Sequence, residues 1–334
     1  MAEAPVLRNR SWVPPPTGDA PAHDEFRVCT WNVLAQVYTR SSWFPWAPSS
    51  ALKWKARSGA LLRDLKCLSP DVLLLQEVDE MPTFWEQQLA SSGYEFRYKQ
   101  RTQVTGAKKD GCLVAWRAAR LRCVAAEDIE HNDLAAAHTP PAGGIAEDLS
   151  QAGENGPTGR VLPQSDPWAR LTRDSVGVLL CLESVASGRR LVVATTHVYW
   201  DPALEEVKDA QVSYLMQRVA AFRCGQGNPA LLIGGDFNST PGSEAHQRLL
   251  NARQEHGLPQ LSSAFGACGA QEPETTNHTP SFSATLDYLV TGGAGLLARR
   301  VLALPVRAEL GLGLPDGDRP SDHLPLVADI ELTD

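Results

Sequence analysis

Short apolar runs alternate with amphipathic segments along most of the chain, and this alternation indicates an α/β protein. Residues 72–75 and 231–233 are continuous apolar runs too short for helices, and they predict buried strands. Apolar positions recur at helical spacing in 52–68 and 204–222. The predicted strands are 27–33, 72–75, 94–98, 112–116, 176–182, 191–196, 231–233, 286–290 and 324–330, and the predicted helices are 52–68, 82–90 and 204–222, with another beginning near Ser243.

The order of these elements favours two packed sheets with outer helices. A doubly wound fold would need strict strand–helix alternation, which is absent between residues 94 and 200. With 43% hydrophobic residues in 334, the chain can bury a sizeable core, and we predict one catalytic domain over 25–334. Residues 1–24 are polar and rich in proline, which predicts a disordered tail, and 127–166 predict a flexible insertion without periodicity.

Composition narrows the compartment and the type of partner. The seven cysteines are scattered without a Cys-x-x-Cys pair, which argues against thiolate zinc sites and disulfides and favours a reducing compartment. We therefore expect a cytoplasmic protein, with the nucleus as the second choice, and no membrane partner, since no apolar run is long enough to span a bilayer. The net charge of −8 means that a polyanionic substrate must meet a local basic patch or a bound metal ion.

Polar residues stand where several of the apolar runs end. A single acid after a strand is most often a cap or a solvated loop residue. A whole set of oxygen and imidazole groups in such places is harder to explain that way. Without thiolates, such a set favours Mg²⁺, with Mn²⁺ as a substitute, and metal-assisted phosphoryl transfer. The set comprises Asn32, Glu77, His197, Asp236, Asn238, Asp287, Asp322 and His323.

The stretch from Leu231 to Pro241 carries the densest chemistry. Asp236 and Asn238 are two positions apart, so on extended chain both side chains point to the same side. A carboxylate there can polarise water, and the amide can donate a hydrogen bond to a phosphoryl oxygen. Taken alone, a Gly-Asp-x-Asn sequence is more often a simple turn.

Six motifs together resemble the endonuclease/exonuclease/phosphatase superfamily, and within it the carbon catabolite repressor type of poly(A) deadenylase, related to nocturnin and angel. In chain order they are Trp-Asn-Val-Leu-Ala from Trp31, Leu-Gln-Glu-Val-Asp from Leu75, His-Val-Tyr-Trp-Asp-Pro from His197, Gly-Asp-Phe-Asn-Ser from Gly235, Thr-Leu-Asp-Tyr from Thr285 and Pro-Ser-Asp-His-Leu-Pro from Pro320. The resemblance covers about residues 26–332 and is greatest to short plant homologues. It departs from the family at Ala284, where a glycine is expected, and over 131–166.

The resemblance implies a four-layer α/β/β/α sandwich of two mixed β-sheets, like that of deoxyribonuclease I. It implies metal binding by Glu77, with Asn32 and Asp322 beside it. Asp236 would activate the attacking water and Asn238 would contact the scissile phosphate. His323, oriented by Asp287, would stabilise the phosphorane, and His197 would add a donor. The plain alternative for His197 is a satisfied core histidine, and for Asp287 it is a strand-end cap.

Four more residues are implied to bind substrate. Pro202 and Phe282 match the pair that sandwiches an adenine in related deadenylases, although a buried core position is the other reading of Phe282. Lys109 and Asp110 lie in a basic stretch with Arg97, Lys99, Arg101 and Lys108, which as a charge run alone would be a solvated face.

Three functions therefore compete at this stage. The first is a Mg²⁺-dependent 3′-to-5′ exoribonuclease that removes poly(A) tails and releases AMP. The second is a phosphatase acting on a small adenine nucleotide, such as the 2′-phosphate of NADP(H). The third is an inactive RNA-binding scaffold, which is the weakest because each implied ligand is present. The expected partner is the 3′ end of poly(A) RNA or that nucleotide. We expect a monomer without a leucine-rich-repeat docking surface.

Overall fold

Two β-sheets lie face to face, with helices on both outer surfaces. The structure, a computed structural model, describes residues 5–15, 24–104, 106, 108–138 and 167–334. The strands are β1 (Trp12–Val13), β2 (Glu25–Asn32), β3 (Val72–Val78), β4 (Tyr94–Gln100), β5 (Gly111–Arg117), β6 (Leu121–Glu130), β7 (Val176–Ser184), β8 (Arg190–Thr196), β9 (Ala230–Asp236), β10 (Leu261–Ser263), β11 (Asn277–His278), β12 (Ser283–Ala284), β13 (Asp287–Gly292), β14 (Leu296–Leu302) and β15 (Leu326–Leu332). The helices are α1 (Trp54–Leu68), α2 (Glu86–Ser91), α3 (Pro167–Leu171), α4 (Glu205–Gly225), α5 (Glu244–His256) and α6 (Ala264–Ala267).

Both large sheets mix parallel and antiparallel pairs. Among the described residues, one sheet has the order β1-β14-β15-β2-β3-β5-β4 and the other has the order β10-β13-β9-β8-β7-β6. The pairs β2–β3 and β8–β9 are parallel, and their antiparallel neighbours include β15 and β13. A short hairpin of β11 and β12 stands apart from both sheets.

Alternation along the strands produces the four layers. In β3, Val72 and Leu74 face the core between the sheets, whereas Leu73 and Leu75 face the outer helices. Leu61, Leu65 and Leu68 of α1 cover the first sheet, and α4 and α5 cover the second. Because both faces of each central strand are buried, the strands read as continuous apolar runs. The predicted four-layer α/β/β/α sandwich of two mixed sheets is confirmed.

The predicted tail over 1–24 is wrong for residues 5–15. Trp12 and Val13 form an edge strand on β14, and Val6 is buried at 5% exposure. The half-buried Arg10 side chain donates hydrogen bonds to the backbone carbonyls of Val6, Leu302, Ala303 and Pro325. A strand of two residues is too short to give a period, so sequence reasoning missed it. Residues 1–4 and 16–23 lie outside the described residues.

The predicted insertion over 127–166 is wrong at its start. Residues 127–130 complete β6, which pairs with β7 as far as Glu130 and Val176. A 3₁₀ helix then spans His131–Ala137, and His131 is completely buried. Tertiary pairing therefore orders a stretch whose composition suggested a loop. The remainder, 139–166, lies outside the described residues.

Within the described part of the chain, no helix combines the length and the apolar character that crossing a membrane requires.

Candidate active site

The predicted catalytic groups meet at one edge of the two packed sheets. Asn32 and Glu77 lie at or near the carboxyl ends of β2 and β3, and Asp236 ends β9. Asp287 begins β13, which runs antiparallel to β9 and pairs residue 287 with residue 236. His197 follows β8, and a β-bridge joins it to Asp236. Strand direction therefore brings distant parts of the sequence to one place.

Asp236 is the centre of this arrangement. It is buried at 1% exposure, and its Oδ2 accepts a hydrogen bond of 2.9 Å from Asn32 Nδ2. Its Oδ1 accepts from the backbone N–H of Asn238 at 2.9 Å. Burial, followed by the Asp287 carboxylate, raises the pKa of Asp236. Asp236 is thus more basic than an exposed carboxylate, as a group that takes a proton from water should be.

Glu77 occupies a strained position in a β-bulge. The pairing of β3 with β5 shifts register between Leu75 and Val78, and Glu77 has a φ of 55°. Positive φ is unusual for a residue with a side chain and is found most often where function requires it. The bulge interrupts the alternation of side-chain directions along β3 beside the site. The carboxylate of Glu77 accepts hydrogen bonds from Asn32 Nδ2 at 2.9 Å and from Ala35 N at 2.9 Å.

The surroundings of Glu77 suit a cation. Burial, together with the negative charges of Asp110 and Asp322, raises the pKa of Glu77 to about 7. Asp322 accepts from Asn277 through Oδ2, while its Oδ1 is buried without a hydrogen-bond partner among the described residues. Unpartnered buried carboxylate oxygen next to a second acid is what a hard divalent cation binds. Glu77 and Asp322 therefore fit such an ion.

Asn32 connects two acids of the site. Its amide nitrogen donates to both Glu77 Oε1 and Asp236 Oδ2, and its oxygen accepts from the backbone of Leu34 at 3.0 Å. Asn32 therefore orients both carboxylates. Its role as a metal ligand stays a prediction, since an amide oxygen with one hydrogen bond keeps a second lone pair.

His323 forms a buried ion pair with Asp287. His323 Nδ1 lies 2.8 Å from Asp287 Oδ2, and His323 Nε2 lies 3.7 Å from Asp236 Oδ2. Burial alone would lower the pKa of His323, but the Asp287 and Asp236 carboxylates outweigh it and raise the pKa well above its usual value. The imidazole is therefore a protonated donor facing Asp236.

Asp236, Asp287 and His323 could also hold a metal ion by distance, since their ligand atoms lie within 4.8 Å of one another. An imidazole can bind a cation through Nε2 while its Nδ1–H donates to a carboxylate, and His323 and Asp287 have this arrangement. The raised pKa of His323 opposes metal binding, because a ligating imidazole must give up that proton. We therefore regard Glu77 and Asp322 as the better cation site.

His197 lies on the other side of Asp236, with its Nε2 3.5 Å from Asp236 Oδ2. Its Nδ1 is 2.6 Å from Nη2 of Arg101. Burial, followed by the charges of Arg101, His323 and Lys108, lowers the pKa of His197 well below its usual value. The pKa values of the two histidines of the site are therefore shifted in opposite directions.

Asp110 does not have the predicted position on the substrate surface. It is completely buried, and its two oxygens accept from Tyr38 Oη at 2.9 Å and Arg101 Nε at 2.8 Å. With both oxygens engaged, it supports Arg101 and is not free to contact substrate. Lys109 is exposed, and its carbonyl accepts from Tyr98. Arg101 and Tyr38 are site residues that the sequence reasoning missed as such.

The predicted base-binding residues are both at the surface. Phe282 is 44% exposed, which rules out the core alternative, and Pro202 is exposed. Phe282 lies in the turn between β11 and β12. That hairpin is tied to the loop that carries Asp322 and His323, here called the catalytic loop, because His278 N donates to Asp322 O at 3.1 Å. Asn238 is half-buried and donates from Nδ2 to Val198 O at 2.9 Å, and its second side-chain N–H has no acceptor among the described residues.

A buried arginine fixes the loops that carry these groups. Arg57 of α1, 1% exposed, donates to the carbonyls of Val33, Leu34 and Pro320 and to the side chain of Gln36. Ser321 Oγ adds a bond of 2.7 Å to Asn32 O. The loop that follows β2 is therefore held against the loop that carries Asp322 and His323. Arg57 appeared in the sequence only as an ordinary residue of a predicted helix.

Two packed mixed sheets with acids, amides and histidines gathered at one edge define an enzyme that hydrolyses phosphate esters. The chain belongs to the Endonuclease/Exonuclease/phosphatase family, whose model matches residues 29–323. It is accordingly a hydrolytic enzyme of the nuclease and phosphodiesterase type. The family resemblance predicted from the six motifs is confirmed.

Curated relatives place the chain among proteins of the carbon catabolite repressor type. It is 37% identical over 326 residues to Carbon catabolite repressor protein 4 homolog 4 of Arabidopsis thaliana, covering 92% of this chain and 78% of that protein. It is 28% identical to the CCR4-Not complex 3′-5′-exoribonuclease subunit Ccr4 of Emericella nidulans, covering 96% of this chain and 55% of that protein. The chain thus spans about half the length of this fungal relative.

Solved structures share the fold. The human nocturnin catalytic domain with bound sulfate has a TM-score of 0.70 at 24% identity, covering 99% of this chain and 100% of that one. ANGEL2, described as a 2′,3′-cyclic phosphatase, in complex with adenosine-2′,3′-vanadate, has a TM-score of 0.74 at 22% identity, covering 97% and 98%.

Proposed function

We propose that this enzyme is a divalent-metal-dependent 3′-to-5′ exoribonuclease that shortens poly(A) tails and releases AMP. The observation that carries the proposal is the exposed ring of Phe282 on a hairpin bonded to the catalytic loop. Asn277 Nδ2 donates to Asp322 Oδ2 at 3.2 Å, so a side-chain hydrogen bond also connects the hairpin to the proposed cation site. An exposed aromatic ring fixed at such a place suits stacking on a nucleobase.

Glu77 and Asp322 would hold the cation, for which Mg²⁺ is the proposed ion and Mn²⁺ a substitute. When bound, that ion supplies charge neutralisation at a phosphoryl oxygen and lowers the pKa of water. The chain has a net charge of −8, and its site is rich in carboxylates. A bound cation would offset this negative charge where an anionic substrate must approach.

Asp236 and the side chains around it would activate the water and stabilise the charge on the phosphate. Asp236 accepts the proton of the attacking water, because it is buried, basic and held by Asn32 and by the Asn238 backbone. His323 donates to a phosphoryl oxygen from Nε2 as negative charge develops there, and Asp287 holds its imidazolium in place. The free N–H of Asn238 adds a neutral donor to the phosphate.

The relatives support the RNA substrate without excluding a small one. The fungal relative is described as a 3′-5′-exoribonuclease subunit, which favours RNA. ANGEL2, described as a 2′,3′-cyclic phosphatase, was solved with an adenosine vanadate, so a phosphatase acting on a small adenine nucleotide, such as the 2′-phosphate of NADP(H), is the second candidate. The assembled site argues against an inactive scaffold, since both acids of the cation site and both histidines are in place.

One comparison of substrates tests the proposal. The purified chain with Mg²⁺ is given A-tailed RNA, C-tailed RNA, RNA ending in a 2′,3′-cyclic phosphate, and NADP(H) in parallel. We expect stepwise shortening of the A-tailed RNA with AMP as product, faster than the C-tailed RNA. Release of inorganic phosphate from NADP(H), with intact A-tailed RNA, would replace the proposal with the phosphatase.

A further inference from the structure

Arg101 is a buried arginine that joins two parts of the site. It is 9% exposed and follows β4 directly, where its backbone N–H donates to Asp110 O at 3.0 Å. Its Nε donates to Asp110 Oδ2 at 2.8 Å. Its Nη2 lies 2.6 Å from His197 Nδ1. The guanidinium is therefore fixed from one side by a carboxylate and directed at an imidazole on the other.

The arginine determines where the proton of His197 resides. A guanidinium has only donors and stays protonated, so an atom at hydrogen-bond distance from it must be an acceptor. Nδ1 of His197 therefore carries no proton, and the proton of the neutral ring is on Nε2. That N–H faces Asp236, whose Oδ2 lies 3.5 Å away. The tautomer follows from the partner of the other ring nitrogen.

The charges around His197 oppose a second proton. Arg101 faces Nδ1, and Lys108 and His323 add positive charge from the loop after β4 and from the loop before β15. Asp236 is the carboxylate that faces Nε2. His323 has the opposite partner, because Asp287 accepts from its Nδ1. The Nδ1 of His197 therefore faces a cation, whereas the Nδ1 of His323 faces an anion.

We propose that Arg101 is a positioning residue that keeps His197 as a neutral Nε2–H donor, which excludes His197 as general base or general acid. Asp110 and Tyr38 hold Arg101 in place, since Tyr38 Oη donates to the second oxygen of Asp110. His197 then stabilises charge on Asp236 or on a phosphoryl oxygen, and proton transfer belongs to Asp236 and His323. The catalytic part of this inference rests on the proposed phosphodiester hydrolysis.

The tautomer is measured first, without substrate. The protein is labelled with ¹⁵N in its imidazole rings, and spectra are recorded with Mg²⁺ from pH 5.5 to 8.5. His197→Gln identifies the His197 signals. We expect the neutral Nε2–H form at every pH. In Arg101→Met/Asp110→Asn, which removes both buried charges together, we expect His197 to titrate within this range. Arg101→Lys, which keeps a donor cation, should retain the neutral form.

Activity then separates a donor from a proton carrier. The glutamine amide can place an N–H where His197 Nε2–H lies, so His197→Gln should lower kcat on A-tailed RNA by no more than about tenfold. The matched variant His323→Gln loses an ionisable group and should lower kcat by at least about a hundredfold. Arg101→Met/Asp110→Asn should lower kcat by about ten- to a hundredfold, as loss of an orienting partner does.

The proposal is overturned if wild-type His197 is protonated below pH 6.5 or carries its proton on Nδ1. It is also overturned if His197→Gln is as inactive as His323→Gln. These outcomes differ from failure of the proposed function, in which the wild-type protein itself would leave A-tailed RNA intact. The spectra remain decisive in that case, because they need no substrate.

Discussion

His323 Nδ1 and Asp287 Oδ2 are 2.8 Å apart, and both side chains are buried between the ends of the two sheets. The carboxylate keeps the imidazole protonated and aimed at Asp236. Asp287→Asn keeps the shape and removes the charge, so the pKa of His323 should fall. We expect kcat on A-tailed RNA to drop by about 10²- to 10⁴-fold with little change in KM, because the lost charge acts mainly in the transition state.

Single-turnover kinetics and RNA affinity together check this prediction. Asp201→Asn is a suitable control, since the half-buried Asp201 carboxylate accepts from the backbone N–H of Ala203 and makes no hydrogen bond to the site residues within the described parts of the chain. A normal kcat with weakened RNA binding in Asp287→Asn would show that Asp287 serves the substrate and not the imidazole.

Cation binding should depend on pH through Glu77. Its pKa is raised to about 7 in the metal-free protein, so below pH 7 the cation must displace a proton. Apparent Mg²⁺ affinity should fall by about tenfold for each pH unit below 7 and level off above it. Calorimetric titrations at pH 6 and pH 8 measure this, with proton release expected only at the lower pH.

Glu77→Gln is the control for that titration. It should bind Mg²⁺ weakly at both pH values and lose nearly all turnover while remaining folded, with partial rescue by Mn²⁺. An affinity that is equal at pH 6 and pH 8 in the wild-type protein would remove Glu77 from the cation site.

Phe282 should matter for activity and not for stability. Its ring is 44% exposed, so Phe282→Ala removes little from the core and should leave Tm nearly unchanged. Loss of stacking worth about 1–3 kcal/mol should reduce kcat/KM on A-tailed RNA by about ten- to a hundredfold. Phe265→Ala is the matched control. That ring is 2% exposed, and its truncation should cost about 3–5 kcal/mol of stability.

If Phe282→Ala were as unstable as Phe265→Ala and retained its activity per folded molecule, the ring would not be a base platform.

Arg10 and Arg8 test whether the amino-terminal segment is part of the fold. Arg10 donates to four backbone carbonyls, so Arg10→Met should cost about 2–3 kcal/mol by leaving buried acceptors unpaired. Arg8 pairs with Asp318, and the two side chains are 55% and 49% exposed. Arg8→Met should therefore cost less than about 1 kcal/mol. Urea denaturation measures both. Equal, negligible effects would restore the tail interpretation for this segment.

The catalytic centre was predictable because its residues stand at the ends of apolar runs, and strand direction then brings those ends together. Asp236 ends β9, Asp287 begins β13 and His323 precedes β15. Arg101 was not predictable in its actual role, because the sequence presents it as one of several neighbouring cations. Only tertiary structure brings it to His197 and Asp110. The placement of Asp110 was missed for the same reason.

The strands at one edge of the first sheet were also not predicted. β1 has two residues, and its partner β14 contains Arg299 and Arg300 in the middle of its apolar pattern. Neither strand shows a period of its own. β1 is stabilised by pairing with β14, and β14 by pairing with both β1 and β15. Central strands can be predicted from the sequence alone, because strands that are buried on both faces consist of continuous apolar residues.

The position of β15 has a consequence for synthesis on the ribosome. This late strand lies between β14 and β2, so the edge of β2 stays unpaired until residues 326–332 have emerged. Asp322 and His323 immediately precede β15, and Trp31 Nε1 donates to His323 O at 2.9 Å. Pairing of β15 therefore completes the sheet and the active site together. A growing polypeptide from which β15 has not yet emerged should lack hydrolytic activity.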